Sequence, residues 1–171
     1  MGDSWSSGVS YDGANTDYDG NAFGCLRIKT AYEPQMEADT RWTVKPNQLN
    51  WASCSGAQLV QMFAGSAAPN HPDPQAGDIG SPDVLTMQIG GNNLGFGHIV
   101  EVCFLQPLPY HSYGNAYPDP SGECGGAFQS TMNQILDRTT QEGFYQKYYN
   151  TLIDLFKWPG RQIYAVLLRW P

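Results

Sequence analysis

Basic side chains are scarce in this chain: Lys and Arg total 9 against 16 Asp and Glu, a formal net charge of -7. A nucleic-acid binder needs a basic face to neutralise phosphates, and a polybasic membrane-surface protein needs a cationic cluster, so the balance argues against both. Long hydrophobic runs are missing too. Those at 99–105 and 163–168 have strand length and fall far short of the roughly 20 apolar residues of a membrane span. The start, Met1-Gly2-Asp3-Ser4-Trp5, has neither the basic stretch nor the apolar stretch of a secretory signal. Cysteine is sparse: Cys25, Cys54, Cys103 and Cys124 are too few and too dispersed for a disulfide-dense scaffold. No CxxC pair or Cys/His cluster suggests structural zinc.

What the chain does have is core-forming material. Its 171 residues are 41% hydrophobic and 13% aromatic, enough for one domain with a real core and unlike a disordered chain. Residues 1–22, rich in Gly, Ser, Asp, Asn and Tyr, show no periodicity and read as an irregular arm. Residues 23–31 read as a short helix or strand. Leu59, Val60, Met62 and Phe63 predict a helix after Cys54, ended by Gly65 and Pro69.

Further on, residues 84–89 predict a strand, Gly90-Gly91-Asn92-Asn93 a hairpin turn, and 98–106 a mostly buried strand with a neighbour at 110–113. Residues 128–136 and 144–156 predict helices, the second with Phe144, Tyr148, Leu152 and Leu155 on one face. Residues 161–170 close the chain as a strand. The expectation is one α+β domain over 1–171, with helical material packed on a central antiparallel sheet.

The segment Trp51-Ala52-Ser53-Cys54-Ser55-Gly56 places a cysteine at the start of an expected helix, with Ser53 available as a cap. A helix N-terminus lowers a thiol's pKa, and its free N–H groups can face an oxyanion. A buried cysteine acting as a small hydrophobe is the commoner fate of a lone Cys. His98, after Gly95-Phe96-Gly97 and at the head of an apolar strand, stands where it could serve as general base. His111 lies 13 residues on, in a neighbouring strand, and could orient that ring. The expected catalytic set is Cys54, His98 and His111, with Trp51, Ser55 and Tyr110 as substrate contacts.

These segments resemble the NlpC-type, papain-like cysteine peptidases. Ser53-Cys54-Ser55-Gly56 is similar to that family's nucleophile motif, although the family usually has Asp before the Cys. Gln75-Ala76-Gly77-Asp78-Ile79 is similar to its Pro-Gly-Asp-Leu turn, and Gly97-His98-Ile99-Val100 to the strand carrying its base. His111-Ser112 stands where the family places its third polar residue, and Trp158-Pro159-Gly160-Arg161 is similar to its closing strand. The resemblance covers residues 50–111, the tail weakly, and residues 1–49 not at all. The related CHAP amidases share the Cys and Gly-His elements.

The resemblance implies a papain-like fold and hydrolysis of an amide in peptidoglycan stem peptides, near D-Glu or diaminopimelate, through a thioester acyl-enzyme. It implies no metal or cofactor. Asn21-Ala22-Phe23-Gly24-Cys25 is a rival, loosely similar to the nucleophile segment of type VI secretion amidase effectors. Tyr32-Glu33-Pro34 stops its helix early, so Cys54 is favoured. If not a nucleophile, Cys25 is core or pairs with another cysteine. On this reading the protein is made in the cytoplasm without a signal peptide and delivered to a periplasm or the outside, as an antibacterial effector. A cognate immunity protein or secretion component would be its partner, with no role for nucleic acid or membrane. The alternatives are a phage tail or lysis hydrolase and a non-catalytic virion or surface protein.

Overall fold

Residues 84–87 form a strand, as the sequence predicts, and the sheet is organised around it. In this computed structural model the described residues are 1–9, 24–42, 49–63, 74–105, 122–138, 143–157 and 165–168. In Val84–Met87 (β1), Leu85 and Met87 are buried while Val84 is exposed, the period-2 signature of a strand. Its partner is Ala165–Leu168 (β2), in register from Val84 with Ala165 to Met87 with Leu168. The pairing is parallel, which corrects the antiparallel expectation. Parallel neighbours cannot be joined by a hairpin, so the chain between them must cross over. Gly91 accordingly opens a turn that leads into a helix rather than back into a strand.

Residues 1–3 run beside β1 as well. The Met1 amine donates to the Thr86 carbonyl at 3.0 Å, Gln88 N–H to Met1 O at 3.2 Å, and Asp3 N–H to Gln88 O at 3.0 Å. Gly2 and Gln88 form a parallel bridge. So the first residues of the expected irregular arm are extended and bridged alongside β1, followed by the helical turn Ser4–Ser7 (α1). Residues 10–22 of that arm lie outside the described residues.

The chain divides into two compact units, Met1–Gly90 with Thr151–Pro171, and Gly91–Asn150. The first contains Tyr32–Ala38 (α2), a 3-10 turn at Leu59–Met62 and Gln75–Asp78 (α3). Pro34 does not end a helix here. It occupies the first turn of α2, where its missing N–H would have had no partner. Met62, Ile79, Met87, Ile89 and Leu155 are fully buried in this unit.

The second unit contains Phe96–Val100 (α4), one π-helical turn at Glu101–Leu105, and Glu123–Leu136 (α5). The strand expected over 98–106 is therefore helical. In a run of almost uninterrupted apolar residues the two periods are hard to separate. The buried residues decide it: Ile99, Val102 and Cys103 fall at i, i+3 and i+4 and pack with Cys124 and Ala127 of α5. Phe144–Lys157 (α6) matches its expected helix, and the division between the units falls within it. Phe144 and Tyr148, one turn apart, stack with ring centroids at 5.7 Å.

Each unit holds one disulfide. Cys25 is bonded to Cys54 and Cys103 to Cys124, leaving no free cysteine.

Candidate active site

Parallel strands pointing the same way deliver the residues that follow them to one edge of the sheet, where ligands bind in α/β folds. Residues 1–3 and β1 do this. Ser4 follows the first, and Gly90 closes the segment after the second. Asp3 is extended, with φ -102° and ψ -152°, and its carboxylate accepts from Trp5 N–H at 3.1 Å, capping α1. Ser4 is thereby held at a strand-to-helix turn, the arrangement that exposes the nucleophilic hydroxyl of α/β hydrolases. It is partly exposed, and among the described residues its hydroxyl makes no hydrogen bond.

The small residues around Ser4 are required by the close approach of chain segments. A side chain at Gly2, where φ is +153°, would collide with the Gln88 carbonyl and lie 2.6 Å from Ser6 Cβ. Gly8 ends α1 in the left-handed region and donates its N–H to Ser4 O at 3.1 Å.

A second segment lies against Gly2. Cys54 N–H donates to Gly2 O at 2.9 Å, and Ser55 N–H donates to Cys25 O at 3.0 Å. The disulfide and these bonds fix Ser55, and Gly56 follows at φ +82°.

Beneath α1 is a buried polar cluster. Ser6 Oγ contacts Ser53 Oγ at 2.5 Å, the Glu33 carboxyl, and Tyr32 OH at 3.4 Å, while Tyr32 OH donates to Thr86 Oγ1 at 3.3 Å. A hydroxyl has a single proton. With that proton on Glu33, Ser53 must be the donor to Ser6. Burial pushes the Glu33 carboxyl above its ordinary range, opposed by the Ser6 bond and the Met1 ammonium. Burial lowers the Met1 ammonium to about 6, with Glu33 opposing. Tyr32 is raised, again by burial first.

The residues expected to form a cysteine site are placed differently. Cys54 is buried in its disulfide, as is the rival Cys25, so neither offers a thiolate. His98 lies on α4 rather than at a strand start, exposed, with Nδ1 3.9 Å from the Glu101 carboxylate. His111 and Tyr110 lie outside the described residues. Trp51 is packed in the core, its carbonyl accepting from Arg27 Nη1 at 2.7 Å, and so is no wall for a substrate. Ser55 alone of the expected contacts is partly exposed and next to the Ser4 turn. The sequence reading did not single out Ser4. Its signal was the small residues Gly2, Ser4, Ser6, Ser7 and Gly8 packed into seven positions, which a tight strand-to-helix turn demands.

No family model matches the chain. A Streptomyces rimosus protein described as a lipase is 31% identical over 106 residues, covering 62% of this chain and 34% of that protein. The crystal structure of an extracellular lipase from Streptomyces rimosus matches with a TM-score of 0.65 at 22% identity, over 98% of this chain and 56% of that chain. The chain thus spans about a third of the first relative's length and about half of the second's. Over the matched part it has the fold of that lipase. This overturns the papain-like, NlpC-type assignment and, with it, the peptidoglycan amidase, cysteine peptidase and type VI effector readings. The phage hydrolase and virion-protein alternatives gain no support from either match. Among the described residues no helix is long and apolar enough to cross a membrane.

Proposed function

We propose that this chain carries the nucleophile of a lipase-type carboxylic ester hydrolase, and that the nucleophile is Ser4. The observation that carries the reading is Ser4 at the strand-to-helix turn, partly exposed at the end of parallel strands. The likeness to the Streptomyces rimosus lipase supports the reaction class. The paired cysteines suit an oxidising, extracellular setting, as in the relative described as extracellular.

In the reaction, Ser4 Oγ attacks the ester carbonyl carbon and its proton passes to a general base. The bond to the alcohol oxygen breaks, the alcohol leaves with a proton, and an acyl-serine remains. Water then attacks that acyl group, releasing the carboxylic acid and restoring the Ser4 hydroxyl. The base is unassigned among the described residues. Of the three histidines, His71 and His111 lie outside them, and His98 is exposed on α4, in the second unit.

The test uses p-nitrophenyl esters of increasing acyl length and an alkyl phosphonate ester, applied to the wild type and Ser4→Ala. The wild type is expected to release nitrophenol and to gain one phosphonyl group on Ser4, located by peptide mass spectrometry. Ser4→Ala is expected to do neither while keeping both disulfides. Hydrolysis by Ser4→Ala, or a label on another residue, overturns the assignment.

A further inference from the structure

Along residues 1–3 the backbone groups alternate in direction. Met1 and Asp3 turn theirs toward β1, and Gly2 turns its own N–H and carbonyl to the opposite side. Among the described residues no strand lies there to receive them, yet Gly2 is buried, and buried backbone groups need partners. The carbonyl accepts from Cys54 N–H at 2.9 Å, and both groups also meet one side chain. Gly2 N–H donates to Gln75 Oε1 at 2.8 Å, and Gln75 Nε2 donates to Gly2 O at 2.8 Å. Gln75 is the first residue of α3, 73 residues away in sequence, and is itself buried. One carboxamide thus supplies the acceptor for the Gly2 N–H and, beside Cys54 N–H, a second donor to its carbonyl.

We propose that Gln75 is a positioning residue for Ser4. Its carboxamide holds Gly2 between α3 and β1, so the turn two residues later presents the Ser4 hydroxyl in one orientation. The proposal rests on Ser4 being the nucleophile. A charged or apolar side chain cannot replace the carboxamide, because only a neutral group bearing both a donor and an acceptor matches both bonds. Asn bears the right groups but is one methylene too short.

The test compares wild type, Gln75→Met and Gln75→Asn in ester hydrolysis, in the rate of phosphonylation at Ser4, and in amide exchange at Gly2 with Trp5 as reference. A misplaced nucleophile loses rate in the chemical step and not in substrate binding. The expected result is a fall of about 10- to 100-fold in kcat and in phosphonylation rate, with KM within about threefold of wild type. Exchange at Gly2 should quicken while Trp5 is unchanged, since its bond to Asp3 does not involve Gln75.

Folded variants that keep both rates within about threefold overturn the role of Gln75 and leave Ser4 standing. A wild type that neither hydrolyses esters nor takes the label overturns the ester-hydrolase reading itself, and the positioning role falls with it. If both variants lose the native disulfide pairing and helical signal, Gln75 is a folding requirement and the positioning role is withdrawn.

Discussion

The hydroxyl oxygens of Ser6 and Ser53 lie 2.5 Å apart, joining α1 to the segment that enters the Cys25–Cys54 disulfide. Ser6 is two residues beyond Ser4, and Ser53 immediately precedes Cys54. Glu33 and Tyr32 lie on the same cluster and extend it to Thr86 of β1. Four segments, α1, α2, β1 and the stretch entering Cys54, are therefore tied by side chains as well as by backbone.

Ser6 is the node of this cluster, so its loss should cost more than the loss of Ser53. Ser53→Ala removes one donor and leaves Ser6 bonded to Glu33, at about 1 kcal/mol. Ser6→Ala strands the Ser53 hydroxyl and takes one hydrogen bond from the Glu33 carboxyl in a buried site, at about 2–4 kcal/mol. Urea unfolding of both single variants and the double variant measures this. Equal costs, or a double variant showing simple additivity, would show that the short contact carries no coupling.

Glu33 makes stability depend on pH in a defined direction. Its carboxyl is raised in the folded chain by burial. The native state therefore holds its proton more tightly than the unfolded state does. That contribution is fully present below the ordinary carboxyl pKa and is lost as pH rises through the raised value. The Met1 ammonium, lowered to about 6 from 8.0, runs the other way: its burial penalty is relieved as pH rises through that interval. Glu33 opposes that lowering, so in Glu33→Gln the ammonium is lowered further and its relief with rising pH adds to the same trend. The stability of Glu33→Gln relative to wild type should grow with pH, as read from urea midpoints at a series of pH values. A difference that shrinks with pH contradicts the assignment.

How far the chain could be read from its sequence follows from the length of each element. Residues 144–157 span four turns and repeat their apolar face, so the helix was legible. β1, buried at Leu85 and Met87, was legible for the same reason. Residues 1–3 are too short to show any period, and their membership of the sheet depends on Thr86 and Gln88, far away in the chain. Ser4 was hidden because glycine and serine around a tight turn look like those of a loose arm. Cys54 was misread for a chemical reason. Small neighbours make a thiol accessible to a substrate, and equally let a second chain segment come close enough to form a disulfide. An even cysteine count was the signal for the latter.

The disulfides can be tested directly. Native protein should take up no iodoacetamide, and the reduced, unfolded chain should take up four equivalents, one for each of Cys25, Cys54, Cys103 and Cys124. The bridges close loops with sequence separations of 29 and 21. Their removal should cost about 3–4 kcal/mol each by the chain-entropy model. Thermal unfolding with and without a phosphine reductant gives the loss. Alkylation of Cys54 in the native oxidised protein would restore the thiol reading.

Two glycines in the left-handed region separate backbone strain from packing. Gly95, with φ +76°, has open space where a side chain would go, so Gly95→Ala should cost only the conformational penalty, about 1 kcal/mol. Gly8, with φ +79°, would place its new methyl 2.6 Å from Ala31 Cβ and 3.0 Å from Ala31 Cα. Ala31 is buried and cannot move aside cheaply, so Gly8→Ala should cost about 2–4 kcal/mol. The difference has a functional consequence. Gly8 N–H bonds Ser4 O, so a displaced Gly8 draws on the turn that presents the proposed nucleophile. Gly8→Ala should therefore lose phosphonylation of Ser4 under conditions where the protein is still folded by circular dichroism, and Gly95→Ala should not. Equal retention of labelling in the two folded variants would mean that the C-terminal end of α1 does not hold Ser4 in place.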